Sequence, residues 1–456
     1  MERGNPRSLF LANGRLVYPS HIKEKAHILV ENGRIVEVGP DVSAPKGVEI
    51  IDLDGLMVFP GLIDPHVHLR DFEHSHRGDI ESETAAAAVG GFTTVLDMPN
   101  SDPPTVSASS YEERCARADK TSYVNYGLYG WAGPETIDSM PQMHEAGVIG
   151  FKLFMAESNL STSYITRDLP NLARILEVAA ELDAIVAPHA ESDGLIKFYE
   201  GRVRKSLPPD LNSYLASRPP LVEEIAVFEA LSLARWVGAR IHICHVSTGD
   251  TVDVIENAKK KYPKISCEVP QSNLCLTVEE TIDFAGLAKF SPPVRTRADQ
   301  KRLWDGLRSG TIDMIATDHA PQTLGDKISS NNIWEVRAGS PLLEIGFCLM
   351  LDAAHKEFLS YTDIASLMAE RPARIFRLYP QKGTLLPNSD ADIVVVDPDC
   401  SFSIDSKTFK SKIKYSVFDG TAIVGKSVMT FVRGHLVAKE GQIVGNPGMG
   451  SRARPL

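Results

Sequence analysis

Apolar and polar positions follow two rhythms along the chain. The ends read as β-structure. SLFLANGRLVYP and AHILVENGRIVEVG each set two apolar runs around an Asn-Gly pair, at Asn13-Gly14 and Asn32-Gly33. That pairing is the strongest short-range hairpin signal. DADIVVVDPD (390–399) and SVMTFVRGHLVAKEGQIVG (427–445) repeat the pattern near the C-terminus. Two β-rich ends around a different middle predict one small β-sandwich domain, built jointly from residues 1–55 and 386–456.

The middle, residues 56–385, alternates. Short apolar runs recur as VFPGLID, GFTTVLDM, NYGLYGW, GVIGFKLF, AIVAPHA, IHICHVS, ISCEVP and MIATDHAP. Between them lie stretches of helical period, such as LPNLARILEVAAELD, EEIAVFEALSLARWVG and DTVDVIENAKKKY. Strands alternating with helices predict a parallel sheet. Eight such units fit an α/β fold of the (β/α)8 barrel type, and a doubly wound sheet is the alternative.

Composition narrows the function classes. The chain has 456 residues, 43% hydrophobic and 23% charged, with 48 basic against 59 acidic residues and a net charge of −11. These are globular proportions, and the acidic balance argues against a nucleic-acid surface. No run approaches the roughly 18 apolar residues of a membrane span. The N-terminal MERGNPRSLF has no apolar signal-peptide core. Six scattered cysteines, among them Cys244 and Cys267 in apolar runs, read as buried reduced thiols. The expected location is cytoplasmic.

The strand ends carry the chemistry. The first apolar run ends in Asp64-Pro65-His66-Val67-His68-Leu69-Arg70; the fourth carries Lys152, the fifth His189, the sixth His245 and the eighth Asp318. In a barrel, the C-terminal strand ends converge on one mouth. Imidazole and carboxylate gathered there suit zinc or a related divalent ion. Strand alternation turns His66 and His68 to the same side and His242 away from His245, so His242 reads as structural. His74, His76 and His144 fall in loops or helices and read as surface residues.

At these positions the sequence resembles the amidohydrolase superfamily, and within it the cyclic amidohydrolases. The resemblance implies two divalent metal ions. His66, His68 and Asp318 would hold one, His189 and His245 the other, and a carboxylated Lys152 would bridge them. Asp318 would also be the catalytic base and acid. HVHLRDFEHSHRGDIESETAAAAVGGFTTVLDMPNSDPPT is most similar to dihydroorotases of the class I or archaeal type. There Arg70 and Asn100 would hold the substrate carboxylate. Three positions depart from that pattern: Gln322 where a histidine is usual, Ser272-Asn273 after the seventh strand, and Ser291 before Pro292-Pro293. Gln322 would be a third, uncharged substrate contact. The resemblance implies a small-molecule substrate and a homo-oligomer, a dimer or tetramer. Allantoinase, hydantoinase or dihydropyrimidinase activity stays open. So does a weakly active partner subunit associated with aspartate carbamoyltransferase.

Overall fold

The structure is a computed structural model that describes residues 8–157 and 164–456; the first seven residues of the N-terminal segment lie outside the described residues. It has the expected fold class, a (β/α)8 barrel with a β-sandwich assembled from both chain ends. Leu9–Val17 pairs antiparallel with Ile22–Glu31 and parallel with Glu49–Asp52 and Met57–Pro60. Met57–Pro60 in turn pairs with Ile393–Ser403, which pairs with Ala422–Val432. Leu11, Ile28 and Val30 from one end share an apolar core with Ile393, Val395 and Phe431 from the other.

Asn32-Gly33 makes the expected tight turn, with both residues in left-handed backbone at φ 52° and 76°. Asn13-Gly14 does not. The strand Leu9–Val17 runs through it and absorbs it as a bulge. Both edges of that strand are already paired, so the chain stays extended, and the Asn13 amide donates to Asp52 at 3.0 Å instead of turning a hairpin. VFPGLID is likewise two strands. Met57–Pro60 belongs to the terminal sheet and Leu62–Val67 opens the barrel. Gly61 lies between them because a Cβ there would meet Thr93 Oγ1 at 2.2 Å and Asp392 Cβ at 2.6 Å.

The barrel strands are, in order, Leu62–Val67, Phe92–Asp97, Asn125–Leu128 continued by Gly130–Ala132, Phe151–Phe154, Ile185–His189, Arg240–Ile243, Ile265–Pro270 and Met314–Ala316. Neighbours pair in parallel. The third strand breaks at Tyr129, whose N–H still donates to Asp97 O at 3.0 Å. Closure comes from the first and last strands, where His68 N–H donates to His319 O at 2.8 Å. The helices start where their caps place them. Asp168 accepts from Asn171 N–H to open Leu169–Glu181, and Thr248 accepts from Thr251 N–H to open Gly249–Lys259. Pro220–Val237 stops at left-handed Gly238. The C-terminal tail crosses back to the barrel: Ala453 N–H donates to Tyr126 O at 2.7 Å, and Ala453 packs with Ile63 and Phe376. No helix among the described residues is long and apolar enough to cross a membrane.

Candidate metal centre

The six predicted metal-site residues meet at one mouth. His66 Nε2 and His68 Nε2 lie 3.3 and 3.4 Å from the same Asp318 oxygen. His189 Nδ1 faces His245 Nε2 at 3.0 Å, and the His66 and His245 ring centres are 5.2 Å apart. Lys152 is fully buried with its ammonium 3.1 Å from Cys244 Sγ and no carboxylate partner among the described residues. Three of these side chains, His66, Lys152 and His189, lie within their strands, and three lie just beyond the strand ends. His68 follows Val67, and Asp318 and His245 sit in left-handed backbone at φ 49° and 38°. Non-glycine residues rarely adopt that conformation, and it clusters at functional sites.

The donor set fits divalent metal. His66, His68 and Asp318 offer three ligand atoms within 4.8 Å of one another. Burial, reinforced by Arg70 and His66, outweighs the Asp318 hydrogen bond and pushes His68 down to about 3, so its imidazole is neutral, as a ligand must be. Burial likewise pushes His245 well below its ordinary value. Burial and the Lys152 ammonium oppose charge on His66, but Glu268 and Asp318 outweigh them and hold it up at about 10. The site therefore favours a cation at this point. Burial would raise the Asp318 carboxyl, but His66, His68 and Lys152 hold it below the usual carboxylate range.

A layer of polar groups that sequence reasoning missed fixes these imidazoles. His66 Nδ1 meets Glu268, which also holds His242 Nε2 at 3.0 Å. His242 is thus structural, as expected, and lies behind the ligands. Glu191 holds His189 Nε2 at 2.8 Å and is itself gripped by Arg218. Arg218, with the His189 hydrogen bond, overcomes burial and holds the Glu191 carboxyl down at about 2. His319, next to Asp318, pairs with Glu83 at 2.8 Å. Such carboxylate–imidazole pairs set which ring nitrogen is free for metal, and losing one typically costs about 10–100-fold in metal affinity. Glu268→Gln is accordingly expected to weaken binding of the metal at His66 by about that factor, measured by competition with a chelator.

The cleft over this centre is also lined by Arg70, His74, Arg77, Asn100, Ser291 and Gln322. Arg77 and Arg337 share Asp326, at 3.0 and 3.6 Å. Arg70 donates Nε to Pro321 O at 3.2 Å, and its two Nη atoms have no partner among the described residues. Asn100 turns its oxygen to His68 Nδ1 at 2.6 Å, so that oxygen positions a ligand. Gln322 donates to Ala338 O at 3.0 Å, and its buried oxygen has no partner among the described residues. Ser272 and Asn273 lie in Gln271–Cys275, off the cleft, so that departure from the dihydroorotase pattern does not bear on the cleft lining. His74 corrects the surface reading. It lines the cleft with a buried Nδ1 that has no partner among the described residues, and burial, then Arg70 and Arg77, push it down to about 4.

Comparison with known proteins agrees with this site. Residues 57–437 match the model of the amidohydrolase family. The chain is 34% identical over 445 residues to an L-hydantoinase of Paenarthrobacter aurescens, covering 97% of each. It is 36% identical over 440 residues to a dihydroorotase of Geobacter metallireducens, covering 95% of this chain and 100% of the relative. It is 32% identical over 437 residues to an allantoinase of Streptomyces avermitilis, covering 95% and 96%. The solved L-hydantoinase (dihydropyrimidinase) from Arthrobacter aurescens superposes with a TM-score of 0.95 at 33% identity, covering 98% of this chain and 100% of that one. With the histidines, lysine and aspartate gathered at the barrel mouth and similarity along nearly its whole length, the chain belongs to the amidohydrolase family and is a cyclic amidohydrolase.

Proposed function

We propose that the chain is a dihydroorotase. It would interconvert dihydroorotate and N-carbamoyl-aspartate in de novo pyrimidine biosynthesis by opening and closing the cyclic amide. The observation that carries this reading is Arg70. Of the three guanidiniums lining the cleft, Arg77 and Arg337 share Asp326, whereas Arg70 has no carboxylate partner among the described residues. A buried guanidinium fork without a partner suits a carboxylate on the substrate.

In the same proposal two divalent ions, zinc by the nature of the donors, are held at the mouth. His66, His68 and Asp318 would hold one, His189 and His245 the other, and a carboxylated Lys152 would be shared by both. Carboxylation suits Lys152 because a buried ammonium in ion-pair contact with no carboxylate among the described residues is costly. Bound there, the ions supply a water of lowered pKa and polarise the ring carbonyl. The Asp318 carboxylate takes the attacking water's proton and returns it to the ring nitrogen as the C–N bond breaks. Arg70 clamps the substrate carboxylate and so fixes which ring carbonyl faces the attack. Asn100 orients His68 with its oxygen and leaves its amide N–H for the ligand. The active species is a homo-oligomer, for which Leu221, Ile225, Phe228 and Trp236 give Pro220–Val237 an exposed apolar stripe.

A second reading, a hydantoinase or dihydropyrimidinase acting on neutral rings, is favoured by one observation: Gln322 carries no charge, and one of its two amide N–H groups is taken by Ala338.

Arg70→Met separates the two. Leaving a carboxylate unpaired costs about 2–5 kcal/mol, which is roughly 30-fold or more in kcat/KM. With metal content unchanged, hydrolysis of dihydroorotate is expected to fall by that factor, while slow hydrolysis of neutral dihydrouracil stays near wild type. Equal loss of both activities would make Arg70 a structural residue and remove the support for a carboxylate substrate.

A further inference from the structure

Gln322 holds a polar atom that the proposed reaction has not used. The side chain is 4% exposed. Its amide orientation is set from outside, because the carbonyl of Ala338 can only accept and therefore takes Nε2, at 3.0 Å. The other end, Oε1, is buried without a hydrogen-bond partner among the described residues, and Gln322 lines the cleft together with Arg70, Ser291 and Asp318. The loop behind it is closely fitted: at left-handed Gly339 a Cβ would lie 2.4 Å from Ala320 O. The backbone holding Ala338 is thus fixed against the segment that carries Gln322. Buried acceptors in native proteins are nearly always paired. An unpaired one on a residue that lines a ligand cleft marks where a ligand donor belongs.

Its chemistry limits that donor. A carboxylate offers only acceptors and would repel Oε1, so the carboxylate held by Arg70 is not the partner of this atom. It is nevertheless next to it, because Pro321 O accepts Arg70 Nε at 3.2 Å and Gln322 is the following residue. A cyclic ureide has two ring N–H groups. One belongs to the amide that opens near Asp318. The other adjoins the carbon bearing the substituent, on the Arg70 side. We infer that Gln322 is a specificity-determining residue whose Oε1 accepts the ring N–H adjacent to the substituted carbon, so that this protein selects rings with that nitrogen unsubstituted. The position of the carboxylate rests on the dihydroorotase reading; the N–H contact itself applies to any cyclic ureide the protein opens.

The test compares kcat/KM for dihydroorotate and its N1-methyl derivative in the metal-loaded protein. A site built around a ligand N–H rejects the analogue that lacks it, so wild type is expected to prefer the N–H ring by about tenfold or more. Gln322→Met keeps the length and removes the acceptor. It is expected to lower kcat/KM for the parent ring, chiefly through KM, and to shrink the N–H preference to within about threefold. Damage to the Ala338 loop alone would slow both substrates and leave their ratio unchanged. Gln322→Leu repeats the comparison if the methionine variant loses metal. The inference is overturned if wild type treats both rings alike, or if the full preference survives removal of the acceptor, which would make it an effect of methyl bulk. If wild type does not open dihydroorotate at all, the carboxylate reading fails, and the same ratio is read on dihydrouracil and its N1-methyl derivative.

Discussion

Asp318→Asn is expected to lower kcat by at least about 10²-fold, the low end of what a positioned general acid–base contributes. The substitution keeps the size and one oxygen beside His66 Nε2 and His68 Nε2, now 3.3 and 3.4 Å from the carboxylate. It removes the group that can take a proton from water and release it to a leaving nitrogen. Asp318 suits that task because His66, together with the hydrogen bond from His68, acts against burial to hold its carboxyl below the usual carboxylate range, so that it is ionised at neutral pH. The loss should fall on kcat, since ring placement belongs to Arg70. Metal content is measured in parallel, because asparagine is a poorer ligand than a carboxylate. Turnover near wild type would remove Asp318 from the mechanism.

Lys152→Ala is expected to have a comparable or larger effect and a distinctive rescue. Lys152 lies at the centre of the site, fully buried and 3.1 Å from Cys244 Sγ. If its carboxylated form joins the two metal positions, truncation removes a ligand from both. Metal affinity should then fall by more than the roughly 10–100-fold typical of losing a group behind a ligand, and activity should fall with it. Formate, acetate or propionate should restore part of both, because a small free carboxylate can occupy the vacated space. A fully active alanine variant holding two metals would refute the bridging role. Loss of activity with metal content unchanged and no rescue would show that Lys152 acts otherwise than as a shared ligand.

The strand-end chemistry was legible in the sequence because barrel geometry does the assembling: residues as distant as His66 and Asp318 meet once each is placed at the end of its strand. The groups behind them were harder to read. Glu268 and Glu191 acquire their partners only through tertiary contact. One signal was present, since a glutamate inside the apolar run ISCEVP is costly unless it is paired. Local turn chemistry misled at Asn13-Gly14, where the sheet on both sides of the strand overrode the hairpin preference. His74 looked like a loop residue because nothing local shows that its loop folds over the mouth beside Arg70 and Arg77. At Gln322 the sequence showed a missing charge, but only the structure shows that Ala338 takes the amide N–H and leaves an acceptor.

The most direct test of the account is the ratio of kcat/KM for dihydroorotate to that for dihydrouracil, measured on the wild-type protein loaded with zinc. The two rings differ by the carboxylate that Arg70 is proposed to hold. The account predicts a ratio of about 30 or more in favour of dihydroorotate, the factor assigned to that contact. A ratio near one, or a preference for the neutral ring, would contradict it and assign the cleft to a neutral-ring hydrolase.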